Sequence, residues 1–192
     1  MRKIYLIRHA KPFFPEGKKM CYGSTDVPLD GEGRAQCERL RAEMADRPVT
    51  KVFCSDLSRS IQTAQYLAAE PVILPGLREL DAGDWDGLSF EEIRVRWPEV
   101  YARRGIEPGY PIPGAEDLRA GRDRFLAAVE QALAQSEGDI AIVGHASVNQ
   151  TLICQCLGIP LTQGYRYKPD YASVTEVEYD GRFRLARDIL LK

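Results

Sequence analysis

The chain has 192 residues, of which 26 are basic and 28 acidic, and its formal net charge is −2. This near-balance argues against nucleic-acid binding, which usually requires a strong basic excess. No apolar run approaches the roughly 18–20 residues that span a bilayer, and the apolar stretch after Arg2 and Lys3 is too short for a signal peptide. We therefore expect a cytoplasmic protein with no nucleic-acid or membrane partner. The length predicts a single domain over residues 1–192.

Short strand-like segments alternate with helical patterns along most of the chain. The predicted strands lie at residues 3–8, 49–54, 72–74 and 139–143. Near the C-terminus, residues 173–179 and 182–185 flank an Asp180-Gly181 turn and predict a hairpin. The alternation favours a three-layer α/β/α sandwich with a mostly parallel central sheet.

The helices are predicted near Gly33, after residues 55–58, from Ser89, over about 116–136 and after His145. The first should turn Ala35, Leu40 and Met44 toward the core. Two capping boxes, at residues 89–92 and 147–150, mark the expected starts of the third helix and the last. Residues 105–114, rich in proline and glycine, are predicted to form an ordered loop over one edge.

The five cysteines are an odd number spread over the whole chain, at Cys21, Cys37, Cys54, Cys154 and Cys156. No C-x-x-C pair occurs, so the sequence contains neither a zinc ribbon nor a thioredoxin-type motif. We expect all five to be reduced thiols, mostly buried.

There are only two histidines, His9 and His145, and each directly follows a predicted strand. In α/β proteins, functional groups gather at the carboxyl ends of the strands. We therefore expect both histidines in one site, with two unrelated capping histidines as the alternative.

Three kinds of chemistry use a histidine at such a position. A metal site needs several converging ligands, and the neighbouring Arg8 would repel a cation. A serine-hydrolase site needs a motif such as G-x-S-x-G, which is absent. Phosphoryl transfer fits better, because arginine binds phosphate through a planar fork and histidine can act as the nucleophile. Arg59, in the first turn after the 49–54 strand, is a second candidate arginine; the alternative is a solvated surface residue.

Four motifs occur in a fixed order: Leu6–Ala10, Ser55–Ala64, Leu77–Gly87 and Val143–His145. Together they resemble the histidine phosphatase superfamily, the phosphoglycerate-mutase-like proteins, from about residue 3 to residue 157. The segment from Cys21 to Leu29 further resembles the α-ribazole phosphatase branch, which serves cobalamin synthesis.

The resemblance implies a role for each site residue. His9 is expected to be the nucleophile that forms a phosphohistidine. Arg8, Arg59 and a protonated His145 are expected to surround the phosphate and neutralise its oxygens. Glu79 is the expected general acid for the leaving group, and afterwards the base that activates water. The implied reaction is hydrolysis of a small phosphomonoester, with α-ribazole 5'-phosphate as one candidate, and it needs neither a metal nor a cofactor.

The sequence departs from the family pattern in several places, two of which bear most on phosphate binding. Ala10 replaces the usual glycine after the nucleophile, which would restrict the backbone if φ were positive there. Residues 12–15 replace a segment that often supplies a threonine and an asparagine to the phosphate. Ser24 and Thr25 are the predicted substitutes.

Two questions stay open at this stage. The basic and aromatic segment 11–22 is predicted either as a rim whose rings stack on a nucleoside-like substrate, or as a packed loop with solvated lysines. The rival functions are a phosphoglycerate mutase and an inactive phosphate-binding module. The chain is short for a mutase, and the set Arg8, His9, Arg59, Glu79 and His145 argues against loss of activity. Nothing in the sequence indicates the oligomeric state.

Overall fold

A computed structural model describes residues 1–186, so the last six residues of the predicted domain lie outside it. The strands are β1 Arg2–Arg8, β2 Val49–Cys54, β3 Val72–Ile73, β4 Asp139–Gly144, β5 Val174–Tyr179 and β6 Phe183–Leu185. They form one sheet in the order β3-β2-β4-β1-β5-β6. The first four are parallel, and the C-terminal hairpin adds two antiparallel strands beside β1. The predicted α/β fold with a mostly parallel sheet is confirmed.

Alternate residues of the central strands face opposite layers of helices, as the two-residue period of a strand requires. From β1, Ile4 and Leu6 join an apolar cluster that includes Phe125 and Leu152 of two helices on one side. Tyr5 and Ile7 join a second cluster on the other side. Because both faces are covered, the strands are buried along most of their length.

The helices are α1 Gly31–Met44, α2 Ser58–Ala64, α3 Phe90–Arg96, α4 Pro98–Ile106, α5 Leu118–Ala134 and α6 Ala146–Leu157. In α1 the buried face carries Leu40 and Met44 as predicted, but Ala35 is exposed. Ala35 lies five residues before Leu40, which is off the i, i+4, i+7 row that Gly33, Cys37 and Leu40 follow. The prediction for Ala35 was wrong.

Two helix starts show how capping decides boundaries here. The capping box at Ser89 and Glu92 is confirmed, with both reciprocal hydrogen bonds present. The box predicted at residues 147–150 is wrong, because α6 begins at Ala146 with His145 at its N-cap. The free N–H groups of that first turn are satisfied by Glu79, a residue distant in sequence.

The helix α4 was not predicted; Pro98 at its first position starts it after the break at Trp97.

Two loops above the carboxyl edge of the sheet are packed closely together: the 78–87 loop and the 107–117 loop. The N–H of Asp84 donates to the Pro113 carbonyl at 2.9 Å, and the N–H of Glu116 donates to the Asp81 carbonyl at 3.1 Å. Gly83, at φ +55°, allows this contact, since a Cβ there would lie 2.3 Å from the nitrogen of Ala115. The loop predicted at residues 105–114 is therefore held in place by backbone hydrogen bonds to the 78–87 loop.

Candidate active site

His9 lies just past the end of β1, with its ring almost fully buried. Its backbone N–H donates to the Gly144 carbonyl at 3.0 Å. Its Nδ1 lies 2.7 Å from the Ala10 carbonyl oxygen. Since a carbonyl can only accept, Nδ1 carries the hydrogen and Nε2 keeps its lone pair. Ala10 is not among the described residues with positive φ, so its methyl group causes no strain there.

The surroundings of His9 favour the neutral imidazole. Burial lowers the pKa of His9 well below its ordinary value of 6.5, and the positive charges of Arg59 and Arg8 lower it further. The hydrogen bond to the Ala10 carbonyl acts in the opposite direction, but it does not outweigh them. His9 therefore presents an unprotonated nitrogen at neutral pH.

His145 follows β4 and contacts His9 directly, with the two ring centroids 5.0 Å apart. Its Nε2 lies 2.8 Å from Ser55 Oγ, and its buried Nδ1 has no hydrogen-bond partner within residues 1–186. Burial lowers the pKa of His145 well below 6.5, as do His9 and Arg59. The protonated donor that the resemblance implies is thus disfavoured by this cationic environment unless an anion joins it.

Arg59, on α2, is almost completely buried, so the alternative of a solvated surface arginine is wrong. Its Nη1 donates to the Thr25 carbonyl at 2.7 Å and its Nη2 to the Gly23 carbonyl at 2.8 Å. The N–H groups of these two residues donate in turn to the carboxylate of Asp86, each at 2.8 Å. Asp86 thereby fixes the backbone that positions the guanidinium of Arg59.

Arg8 is held by a segment near the C-terminus. Its Nη1 donates to the Pro169 carbonyl at 2.8 Å, and its Cζ lies 3.7 Å from the centroid of the Tyr171 ring. The same ring lies 5.7 Å from that of His9. Ala172, at φ +55°, donates its N–H to the Arg8 carbonyl at 3.0 Å and so holds Tyr171 against the site. Sequence reasoning missed Tyr171, because it lies beyond the recognisable motifs and in no periodic element.

Glu79 reaches the site from the 78–87 loop. Its carboxylate accepts N–H groups from Leu80 at 2.9 Å, Ser147 at 3.0 Å and Val148 at 3.2 Å. The last two belong to the first turn of α6, where the helix dipole favours a negative charge. Glu79 and His145 therefore meet at the start of the same helix, and the charge of Glu79 raises the pKa of both Arg8 and Arg59 against the lowering by burial.

The structure places the remaining predicted residues less directly. Thr25 contributes its backbone, which binds Arg59 and Asp86, and Ser24 lines a separate cavity beside Glu79. Their role in phosphate binding stays a prediction. In segment 11–22, the Phe14 ring stacks on the Tyr22 ring with centroids 5.6 Å apart, and Phe13 is half exposed. These positions favour the alternative in which Phe13 and Tyr22 belong to a rim. Lys11 forms ion pairs with Asp30 and Glu32.

The metal-ligating and thiol groups of residues 1–186 bear on the predictions of no metal site and of reduced cysteines. Among residues 1–186, no group of three or more His, Cys, Asp or Glu side chains is placed to hold a metal ion. All five cysteines are free, as predicted. Burial raises the pKa of Cys21 to about 11 and that of Cys54 to about 12, so both thiols stay protonated. None of the helices in the described part of the chain is long and apolar enough to cross a membrane.

Comparison with known proteins agrees with this fold. The family model of the histidine phosphatase superfamily (branch 1) matches residues 4–188. Phosphoserine phosphatase 1 of Hydrogenobacter thermophilus is 26% identical, over 100% of this chain and 92% of that protein. A probable phosphoglycerate mutase, GpmB of Enterobacter sp. (strain 638), is 29% identical over 93% of this chain and 86% of its own.

Solved structures of known proteins also match this chain. YhfR of Bacillus stearothermophilus superposes with a TM-score of 0.88 at 28% identity, covering 97% of this chain and 96% of that one. The matches span nearly the whole chain and include relatives named both as phosphatases and as mutases. This chain, an enzyme with a phosphatase fold, belongs to branch 1 of the histidine phosphatase superfamily.

Proposed function

We propose that the chain hydrolyses small phosphomonoesters through a phosphohistidine at His9, without a metal ion. One observation carries this proposal: the hydrogen bond from His9 Nδ1 to the Ala10 carbonyl, on a buried ring whose pKa is lowered. It leaves Nε2 with a lone pair at neutral pH, which is the requirement for nucleophilic attack.

In the first step, His9 Nε2 attacks phosphorus and the bond to the ester oxygen breaks. Protonated Glu79 gives its proton to that oxygen, so the leaving group departs as an alcohol. Arg8, Arg59 and His145 stabilise the charge on the three non-bridging oxygens. A phosphate dianion raises the pKa of His145 and turns it into a donor, which reconciles its cationic surroundings with the role that the resemblance implies.

In the second step, the Glu79 carboxylate takes a proton from a water molecule as the oxygen of that water attacks phosphorus. The bond from phosphorus to His9 Nε2 breaks, inorganic phosphate leaves, and the histidine regains its lone pair. The guanidinium groups of Arg8 and Arg59 supply the positive charge that a metal supplies in other phosphatases.

A mutase is the second candidate, because relatives named as probable phosphoglycerate mutases match 93% of the chain. A mutase would return the phosphoryl group to a substrate hydroxyl instead of water. A relative named as a phosphatase matches 100% of the chain, which favours hydrolysis. Among substrates, the segment from Cys21 to Leu29 supports α-ribazole 5'-phosphate as one candidate.

The test uses the purified full-length chain with p-nitrophenyl phosphate in the presence of a chelator. We expect turnover, and an acid-labile, base-stable phosphoenzyme after rapid denaturation. His9→Ala should abolish both, whereas Ser136→Ala, at the opposite edge of the sheet, should change neither. With 3-phosphoglycerate, release of inorganic phosphate supports hydrolysis, and formation of 2-phosphoglycerate supports the mutase. A full rate in His9→Ala would refute the proposal. If the unmodified protein is folded but hydrolyses none of these esters, the inactive binding module is supported.

A further inference from the structure

The segment that carries Glu79 lies along one face of the helix α5. A Cβ on Gly76 would lie 2.8 Å from the Cβ of Ala128, and a Cβ on Gly121 would clash with Cδ2 of Leu80. Gly121 and Ala128 are seven residues apart, so they share one face of the helix. The backbone on both sides of Glu79 is therefore packed closely against α5.

Arg124 lies on the same face of α5, and each of its five N–H groups has an acceptor. Its Nη1 donates to the Gly76 carbonyl at 2.8 Å and to the Arg78 carbonyl at 3.0 Å. Its Nη2 donates to the Glu79 carbonyl at 3.3 Å. The carboxylate of Glu116 accepts the other two, from Nε at 2.9 Å and from Nη2 at 2.7 Å. The planar guanidinium thus joins three carbonyls of one segment to one carboxylate.

Glu116 binds the backbone that follows Glu79. Its Oε2 accepts the N–H of Asp81 at 3.3 Å, and its own N–H donates to the Asp81 carbonyl at 3.1 Å. Glu116 directly precedes Asp117, the N-cap residue of α5. Arg124 and Glu116 therefore fix the chain before and after Glu79 to the same end of one helix.

The carboxylate of Glu79 is bound at its other end by the first turn of α6, through the N–H groups of Ser147 and Val148. Glu79 thus spans two helices, with its backbone tied to α5 and its side chain to α6. A displacement of about 1 Å in a reacting group can lower a rate about 10²-fold. Lysine has three donors on one nitrogen, so it cannot replace the five bonds of Arg124.

We propose that Arg124, together with Glu116, is a positioning residue that places the Glu79 carboxylate at the leaving-group oxygen. Arg124 acts through the backbone of Glu79 and does not touch the substrate. The proposal rests on the proposed phosphatase function and adds a residue outside the four sequence motifs.

The first experiment compares Arg124→Lys with Arg122→Lys on p-nitrophenyl phosphate and on glycerol 3-phosphate. Lysine keeps the positive charge that lowers the pKa of His145, so the change is mainly one of geometry. We expect Arg124→Lys to lower kcat/KM about ten- to hundredfold for the alkyl ester and less than about threefold for the aryl ester. Arg122, whose guanidinium bonds to the neighbouring Asp123, should give no change. Equal losses on both esters would overturn the proposal.

A double variant tests whether Arg124 acts through Glu79. Once Glu79→Gln has removed the acid, Arg124→Lys should lower kcat/KM for glycerol 3-phosphate by less than about twofold more. Losses that multiply would overturn the proposal. Glu116→Gln keeps one acceptor oxygen, so it should cause the same selective loss at about three- to tenfold, and it serves as the second variant if Arg124→Lys does not fold.

Hydrogen exchange gives a readout that needs no turnover. In Arg124→Lys, the amides of Ser147 and Val148 should exchange about three- to tenfold faster relative to amides of α1, because the carboxylate that binds them is displaced. Unchanged exchange would overturn the positioning role, even in an active enzyme. Faster exchange in a protein that turns over neither ester would support the positioning of Glu79 and reject the proposed function.

Discussion

Replacing Glu79 by glutamine tests the division of labour in the candidate active site. The amide cannot give up a proton as readily as a carboxylic acid. The fall in kcat/KM should therefore be largest for esters whose leaving group needs a proton. A general acid contributes about 10²–10⁴-fold. We therefore expect Glu79→Gln to lower kcat/KM for an alkyl phosphate by that factor, and for p-nitrophenyl phosphate by less than about tenfold.

The structure adds a second, separable effect to this substitution. The Glu79 carboxylate accepts three N–H groups, and two of them begin α6. Glutamine offers one acceptor oxygen, so at least one bond to a charged group is lost, which costs about 1.5–3 kcal/mol. In a chain of this length, that corresponds to a fall in Tm of several degrees. Asp84→Asn, on the same loop but exposed, is the matched control and should show neither effect.

The assay is a leaving-group series in which kcat/KM reports the phosphorylation step alone. For Glu79→Gln, the dependence of log kcat/KM on leaving-group pKa should become steeper than in the unmodified protein. Equal losses on alkyl and aryl esters would remove Glu79 from the acid role. Asp81 and Asp86 would then be tested next, although Asp86 already binds the backbone around Arg59.

The site leads to four further predictions. Because the pKa of His9 is lowered well below 6.5, the acid limb of kcat/KM should fall below the ordinary histidine range; a limb at pH 6.5 or above that tracks the His9 ring in an NMR titration would contradict it. The same lowering means that the unfolded chain takes up protons which the folded chain resists, so the free energy of unfolding should decrease as pH falls below about 6.5, as denaturant titrations would show. Activity should survive exhaustive chelation, since the arginines supply the charge; loss that a single metal restores would refute this. Tyr171→Ala should weaken inhibition by inorganic phosphate about three- to thirtyfold through loss of its stacking on Arg8, with a smaller loss in Tyr171→Phe, and equal inhibition in all three proteins would contradict the role of the ring.

Patterns local in sequence were predictable for a physical reason. The strands β1 and β4 are mostly apolar and buried on both faces, as is the second half of β2, and such runs can be recognised without tertiary information. The capping box at Ser89 depends on residues three positions apart. The convergence of His9 and His145 follows from the rule that parallel strands end at one edge.

What depends on distant parts of the chain was not predictable. The first turn of α6 is capped by Glu79, 68 residues away from Ser147, so no local motif marks it. Ser147 was misread as a cap because its side chain has the right type and spacing. Tyr171 reaches Arg8 across a span of more than 160 residues. Its placement depends on a left-handed Ala172, a conformation that the residue type does not signal.

The pairing of the 78–87 loop with the 107–117 loop has a consequence for how this enzyme can be altered. Two backbone hydrogen bonds between them, a third from the Asp81 N–H to the Glu116 carboxylate, and the close contact at Gly83 tie the 107–117 loop to the segment that carries Glu79. A transplant of the 107–117 loop alone from a relative with other specificity would therefore displace Glu79 as well. Chimeras that change substrate choice while preserving the rate must therefore exchange both segments as one unit.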